Sequence, residues 1–177
     1  YVGAMATLQQ VNGQPLSPAG GADFNLPYIV NGQNLVFIGT AAVQRDSTGG
    51  HTASYTRFVV DYPNDNADIV ARYDRVGAGF APPLGFVAQS GINRYAGSLA
   101  FTPRPGRWNI RKLSFGVESW NVVTNLDNTL NNANLELRPI GINFESGDEV
   151  ELNLQRFRDV PGEAFELFPG TLVGAGS

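Results

Sequence analysis

From Ala67 onward the chain alternates between two kinds of residue. Ala67, Ile69, Ala71 and Tyr73 fall on one side, and Asp68, Arg72 and Asp74 on the other, with Val70 between the charges. A period of two predicts a β-strand with two unlike faces. The pattern recurs along the chain. Thr56, Phe58, Val60 and Tyr62 oppose Tyr55, Arg57, Val59 and Asp61; Tyr95, Leu99 and Phe101 oppose Arg94, Ala96, Ser98 and Ala100. Leu113, Phe115 and Val117 oppose Lys112, Ser114, Gly116 and Glu118, and Ala133, Leu135 and Leu137 oppose Asn134, Glu136 and Arg138. The cleanest case sets Val150, Leu152 and Leu154 against Glu151, Asn153 and Gln155.

These windows predict strands over 1–8, 22–30, 34–44, 52–62, 67–75, 94–102, 110–121, 129–139 and 149–158, with shorter runs at 141–144 and 164–168. Helical spacing loses to period two nearly everywhere, so the fold class is all-β: an antiparallel meander of about nine or ten strands with no helix. Asn31-Gly32 is the strongest turn signal, because that pair readily takes the two positive-φ positions of a tight hairpin. Pro27 places its strand at an edge or a bulge. Residues 11–21, 45–50, 63–66, 103–108, 124–128 and 145–148 read as turns or connectors, and the aromatic-containing connector 77–86 is expected to pack on the sheet. Gly39 and its neighbouring alanines leave one face of their strand sparsely furnished. A single domain over 1–170 with a flexible tail over 171–177 follows.

Composition narrows the classes. Charged residues make up 16%, against about 25% in soluble globular proteins. There is no cysteine, hence no disulfide framework or thiolate metal site. The net charge of −4 is dispersed, which argues against nucleic acid. Tyr1-Val2-Gly3-Ala4-Met5-Ala6 reads as a strand and not as a signal peptide. No apolar run reaches the ~20 residues of a transmembrane helix, a limit that does not apply to barrels, whose segments are about 10 residues long and alternate.

Two arrangements bury such strands. In a soluble sandwich the apolar faces meet each other. In an outer-membrane barrel they meet lipid, and the polar faces line a lumen. Strand length, mixed charges on the polar faces (Arg57 with Asp61, Arg72 with Asp74, Lys112 with Glu118, Glu136 with Arg138) and aromatics near strand ends (Tyr55, Tyr62, Tyr73, Tyr95, Trp108, Trp120) suit the barrel. Ordinary solvated sheets also carry such residues, and the residues alone leave both open.

No enzyme constellation is visible. His51 is the single histidine and lies in a turn. Asp65-Asn66-Ala67-Asp68 lacks the Gly and distal Glu of a calcium loop. Asp61, Glu118, Glu136 and Glu151 are read as partners of lumen cations in preference to glycosidase carboxylates. Gly77-Ala78-Gly79 precedes a Pro-rich loop and no helix, unlike a phosphate loop. A non-enzymatic protein without cofactor or metal is expected.

Five segments carry a resemblance: Tyr1-Val2-Gly3-Ala4-Met5-Ala6-Thr7; Ala22-Asp23-Phe24-Asn25; Tyr73-Asp74-Arg75-Val76-Gly77-Ala78-Gly79-Phe80-Ala81-Pro82-Pro83-Leu84-Gly85-Phe86-Val87; Gly91-Ile92-Asn93-Arg94-Tyr95; and Phe101-Thr102-Pro103-Arg104-Pro105. In this order, over most of residues 1–160, the chain resembles a large uncharacterised bacterial surface family. Its members join an N-terminal carbohydrate-binding-like domain to a C-terminal β-rich region of outer-membrane barrel type. The resemblance implies an outer-membrane β-barrel or a portion of one, acting as a passive pore or as the membrane anchor of a surface module. Its partners would be outer-membrane lipid and a fused or associated carbohydrate-binding-like domain. The lumen would be lined by Arg57, Asp61, Asp68, Arg72, Asp74, Arg94, Lys112, Glu118, Glu136, Arg138 and Glu151. The alternatives are a secreted or periplasmic β-sandwich or open barrel that stacks a saccharide on Tyr95, Trp108 and Trp120, and a structural surface or assembly protein.

Overall fold

The computed structural model describes residues 1–10, 13, 16–45, 50–82, 87–162 and 164–174. The predicted turn positions 11–12, 14–15 and 46–49, connector positions 83–86 and tail positions 175–177 lie outside the described residues. The strands are β1 (Val2–Gln9), β2 (Ser17–Val30), β3 (Gln33–Arg45), β4 (Thr52–Pro63), β5 (Ala67–Val76), β6 (Ile92–Phe101), β7 (Ile110–Asn125), β8 (Leu130–Phe144), β9 (Glu149–Asp159), β10 (Phe165–Phe168) and β11 (Thr171–Val173). β1 to β9 form one antiparallel sheet in chain order, and β10 and β11 pair as a separate hairpin. β1 and β9 are the edges of the nine-stranded sheet and do not pair with each other, so the sheet is open, as a portion of a barrel wall is.

Local chemistry explains the strand ends. Asn31 and Gly32 take φ of 52° and 76°, closing β2 on β3 with Val30 opposite Gln33. Positive φ at both central residues matches the twist of the flanking strands. Asn25 exchanges backbone hydrogen bonds with Tyr1, so Pro27, two residues on, turns its nitrogen to the same side. No β1 residue pairs with Pro27, so within this sheet its missing N–H breaks no ladder bond. Asp127 holds the β7–β8 turn by accepting hydrogen bonds from the Thr129 N–H (3.0 Å) and hydroxyl (2.7 Å), which keep its carboxyl below the usual carboxylate range.

Several boundaries differ from the sequence expectation; β7 runs on to Asn125, past the predicted end at 121. β2 begins at Ser17, inside the predicted connector, because Pro18 to Gly21 lie between β1 and β3 and pair with both or with β1. The runs 129–139 and 141–144 are one strand, β8. Its register on β9 jumps between Leu137 and Ile140, so Pro139 sits in a bulge where no ladder bond is needed. Thr171–Val173, expected as tail, forms β11, after a reversal that Gly170 permits with φ of 86°.

Pairing runs without a register shift from β1 through β6. One resulting row is Val2, Phe24, Gly39, Phe58, Tyr73 and Tyr95, and the next residue on each strand gives Gly3, Asp23, Thr40, Arg57, Asp74 and Arg94. One face is therefore apolar and the other is charged or small. The sparse position at Gly39 is filled by the Phe24 ring, against which an added Cβ would collide. The sheet curls around the charged face: Met5 of β1 and Arg94 of β6 border one cavity, although five strand spacings would separate them by about 24 Å if flat.

The Phe24–Gly39 contact yields a coupled prediction. Gly39→Val should destabilise the sheet by about 1–3 kcal/mol through overpacking. In a Phe24→Ala background the same change should cost at least about 0.5 kcal/mol less, as measured by a denaturant-unfolding double-mutant cycle.

Candidate functional site

The charged face is organised around Asp74. Period two directs its side chain into the concave face, where it is 3% exposed. Register places Arg57 of β4 directly opposite on one side and Arg94 of β6 on the other. The Arg57 Nε donates to Asp74 Oδ1 at 2.8 Å, the Tyr55 hydroxyl donates to the same oxygen at 3.1 Å, and Arg72 Nε donates to Oδ2 at 2.5 Å. A carboxylate removed from water is thus compensated by two guanidinium groups and a phenol. Tyr55, expected among the girdle aromatics at strand ends, instead belongs to this charged cluster.

Beside the cluster lies a cavity of about 510 Å³. Its opposite side is formed by Met5, Ala19, Gly21 and Ala42, small or flexible residues of β1 to β3. Phe80, in the connector after β5, closes one end. It is buried with Val76, Ile92 and Val123 and stacks on Tyr55 with ring centroids 5.7 Å apart. The connector is tied down where the Ala81 N–H donates to the buried Gln44 side chain at 2.9 Å and the Gly77 N–H donates to Ser54 O at 2.8 Å.

The remaining charged candidates divide into two groups. Asp61 and Asp68 share the charged face toward the far end of β4 and β5, on a diagonal rather than opposite each other. One Asp61 oxygen is buried with no hydrogen-bond partner among the described residues. Across β7 to β9, Arg138 bridges Glu118 at 3.0 Å and Glu151 at 3.2 Å, and also donates to Asn153. Lys112 and Glu136 lie opposite Asn143 and Ser119 and make no salt bridge among the described residues. Of the pairs read along single strands, Arg72 with Asp74 forms; Arg57 meets Asp74, not Asp61, Arg138 meets Glu118 and Glu151, not Glu136, and Lys112 makes no salt bridge with Glu118 among the described residues. Pairing across strands depends on register, which the sequence does not display.

The three candidate stacking residues are not gathered into one platform. Tyr95 and Trp120 lie on the apolar face, Trp120 over Gly97 and Tyr95 against Tyr73 at 5.2 Å. Trp108 lies in the β6–β7 connection, where the Arg107 guanidinium sits 5.0 Å above its ring. It is separated from Tyr95 by the length of β6, about 20 Å. Sequence reasoning missed the parts played by Phe80, Gln44 and Met5. The available signal was the parity of Tyr55 with Arg57 and the aromatic in a glycine-rich connector.

No family model, curated protein or solved structure matches this chain.

Asp74 supplies the second prediction. Asp74→Ala leaves Arg57 and Arg72 without their shared partner and should destabilise the fold by about 2–4 kcal/mol, somewhat less than a fully buried pair because both arginines keep some solvent contact. Asp65→Ala, which breaks an exposed pair with Arg104 at 3.5 Å, should change stability by less than about 1 kcal/mol. Unfolding midpoints of the two variants, measured side by side, check the contrast.

Proposed function

We propose that this chain forms part of the wall of a bacterial outer-membrane β-barrel, without enzymatic activity, serving as a passive pore or as the membrane anchor of a surface module. The observation that carries the reading is the division of one nine-stranded sheet into an apolar face left exposed and a charged, concave face. Val150, Leu152 and Leu154 are 59%, 50% and 52% exposed in succession along β9. On the same face the pairing continues through Leu137, Val117, Leu99 and Ile69. A soluble protein rarely leaves so continuous an apolar surface uncovered, whereas lipid covers it at no cost.

Aromatic placement supports the same reading. Phe58, Tyr73 and Tyr95 form a row across the middle of the apolar face, and Tyr28, Tyr62 and Phe101 lie toward one end of it. On the concave face, Arg57, Asp61, Asp68, Arg72, Asp74, Arg94, Lys112, Glu118, Glu136, Arg138 and Glu151 would line the lumen. The reading also carries a requirement. Unpaired backbone groups are not tolerated in hydrocarbon, so further strands must pair with β1 and β9.

Two outcomes test it. Refolding with detergent micelles should give a monodisperse species whose gel migration shifts on heating, and refolding in plain buffer should not; a monodisperse β protein without detergent overturns the lipid assignment. Insertion into lipid vesicles should be impaired by Leu135→Arg or Leu152→Arg by about 2–4 kcal/mol at mid-membrane depth. Asn134→Arg and Asn153→Arg, on the other face, should insert nearly as the parent does. Equal effects on the two faces would refute the assignment.

A further inference from the structure

The cavity beside Asp74 has a charge imbalance that the wall reading does not use. Three guanidinium groups border it, those of Arg57, Arg72 and Arg94. Asp74 serves two of them with both of its oxygens, leaving Arg94 over. Among the described residues Arg94 makes no salt bridge, and its Nε is buried with no hydrogen-bond partner. Asp23 is the other carboxylate bordering the cavity. It packs against Gly3, close enough that an added Cβ there would lie 2.8 Å from Asp23 Oδ1. Two strands, β3 and β4, intervene between it and the β5 strand opposite Arg94. A buried, unpartnered guanidinium donor is unfavourable unless something accepts from it.

The rest of the cavity has the opposite character. Met5, Ala19 and Ala42 face the arginines with apolar surface, and Phe80 closes the end. A volume of about 510 Å³ is that of a small-molecule site. From this pairing of a spare guanidinium with an apolar wall we infer that the cavity binds a small organic carboxylate, its charged group on Arg94 and its hydrocarbon body against the β1–β3 side. Guanidinium matches carboxylate geometry through paired N–H donors. Apart from Asp23 the β1–β3 side is uncharged, so a ligand with one negative charge suits it better than one with two. The site needs the concave face alone, and stands whether or not lipid covers the other face.

Benzoate is the probe, and benzamide, its uncharged near-isostere, is the control. Folded protein, in whichever medium it folds, is titrated with each and followed by saturation-transfer NMR. Benzoate should bind saturably and at least about tenfold more tightly than benzamide, the discrimination expected of a hydrogen bond to a charged group. Arg94→Gln should abolish that preference, while Arg75→Gln, on the apolar-face side of β5, should leave it intact. Ala19→Leu, which fills the cavity and alters no charge, should remove binding of both compounds and keeps the test open if Arg94→Gln fails to fold. No saturable benzoate binding, equal affinity for the two compounds, or benzoate binding unchanged by Arg94→Gln or by Ala19→Leu would overturn the inference. Heat-modifiable migration of the same samples reports separately on the membrane reading.

Discussion

Register is the constraint on which the rest of this molecule depends. Side chains alternate strictly across a strand, so a slip of one residue in any pairing would carry every charge of that strand to the apolar face. From β1 to β6 no slip or bulge occurs. The Asp74 cluster helps to hold this alignment, because its carboxylate is satisfied only when Tyr55 and Arg57 of β4 stand on the same face of the sheet as Asp74, with Arg57 opposite it. Shifting β4 by one residue against β5 would leave a buried carboxylate short of partners and place Phe58 among charges. The electrostatic centre of the site is thereby also a register lock, and the two unlike faces are mutual consequences of it.

The other half of the sheet obeys the constraint differently. β7 and β8 are the longest paired strands and carry several register shifts against their neighbours. An extra residue would ordinarily turn the following side chains to the wrong face. Between Gly97 and Leu99, β7 advances from Trp120 to Val117, so Glu118 and Ser119 share the position opposite one residue of β6. Beyond the bulge Gly116 and Ser114 are again on the concave side, and Arg138 reaches Glu118 there. Bulges concentrate twist, and in this region they bend long strands while keeping the charges on one face. Pro139, in the β8–β9 irregularity, uses the same break to avoid a ladder bond.

Much of the architecture was legible because it rests on local rules. Alternation marked the strands, Asn31-Gly32 marked its hairpin, and Pro27 signalled a position without a ladder bond, which is where the β1 pairing stops. What was not legible depended on neighbours. Ser17-Pro18-Ala19-Gly20-Gly21 has the composition of a turn, yet it extends as strand because β1 and β3 supply ladder partners on either side and its small side chains let them approach. Pro139 reads as a strand end until the bulge that houses it is known. The charge clusters were the hardest part. Arg57 sees Asp61 along its own strand but touches Asp74 on the next, and only the pairing of β4 with β5 reveals that. The role of Phe80 was hidden too, since nothing local shows that its connector folds back over Tyr55.

Seen along the strands, the concave face is not electrically uniform. The β4–β6 arginines, Arg57, Arg72 and Arg94, stand toward the end bearing the β5–β6 connector, whereas Asp61 and Asp68 stand toward the opposite end. Glu118, level with Asp61 through the pairing, and Glu151, near the start of β9, are tied to one arginine, Arg138, and Lys112 stands near the same end without a salt bridge among the described residues. Such a separation produces a field along the strand direction inside a low-dielectric wall, and a concave surface focuses it. The cationic end draws anions toward the cavity, and the acidic end repels them from the rest of the face. The position of the Asp74 cluster therefore does more than satisfy a buried carboxylate. By accepting from Arg57 and Arg72 with both of its oxygens, it leaves Arg94 without a carboxylate partner among the described residues, beside a cavity able to receive an anion.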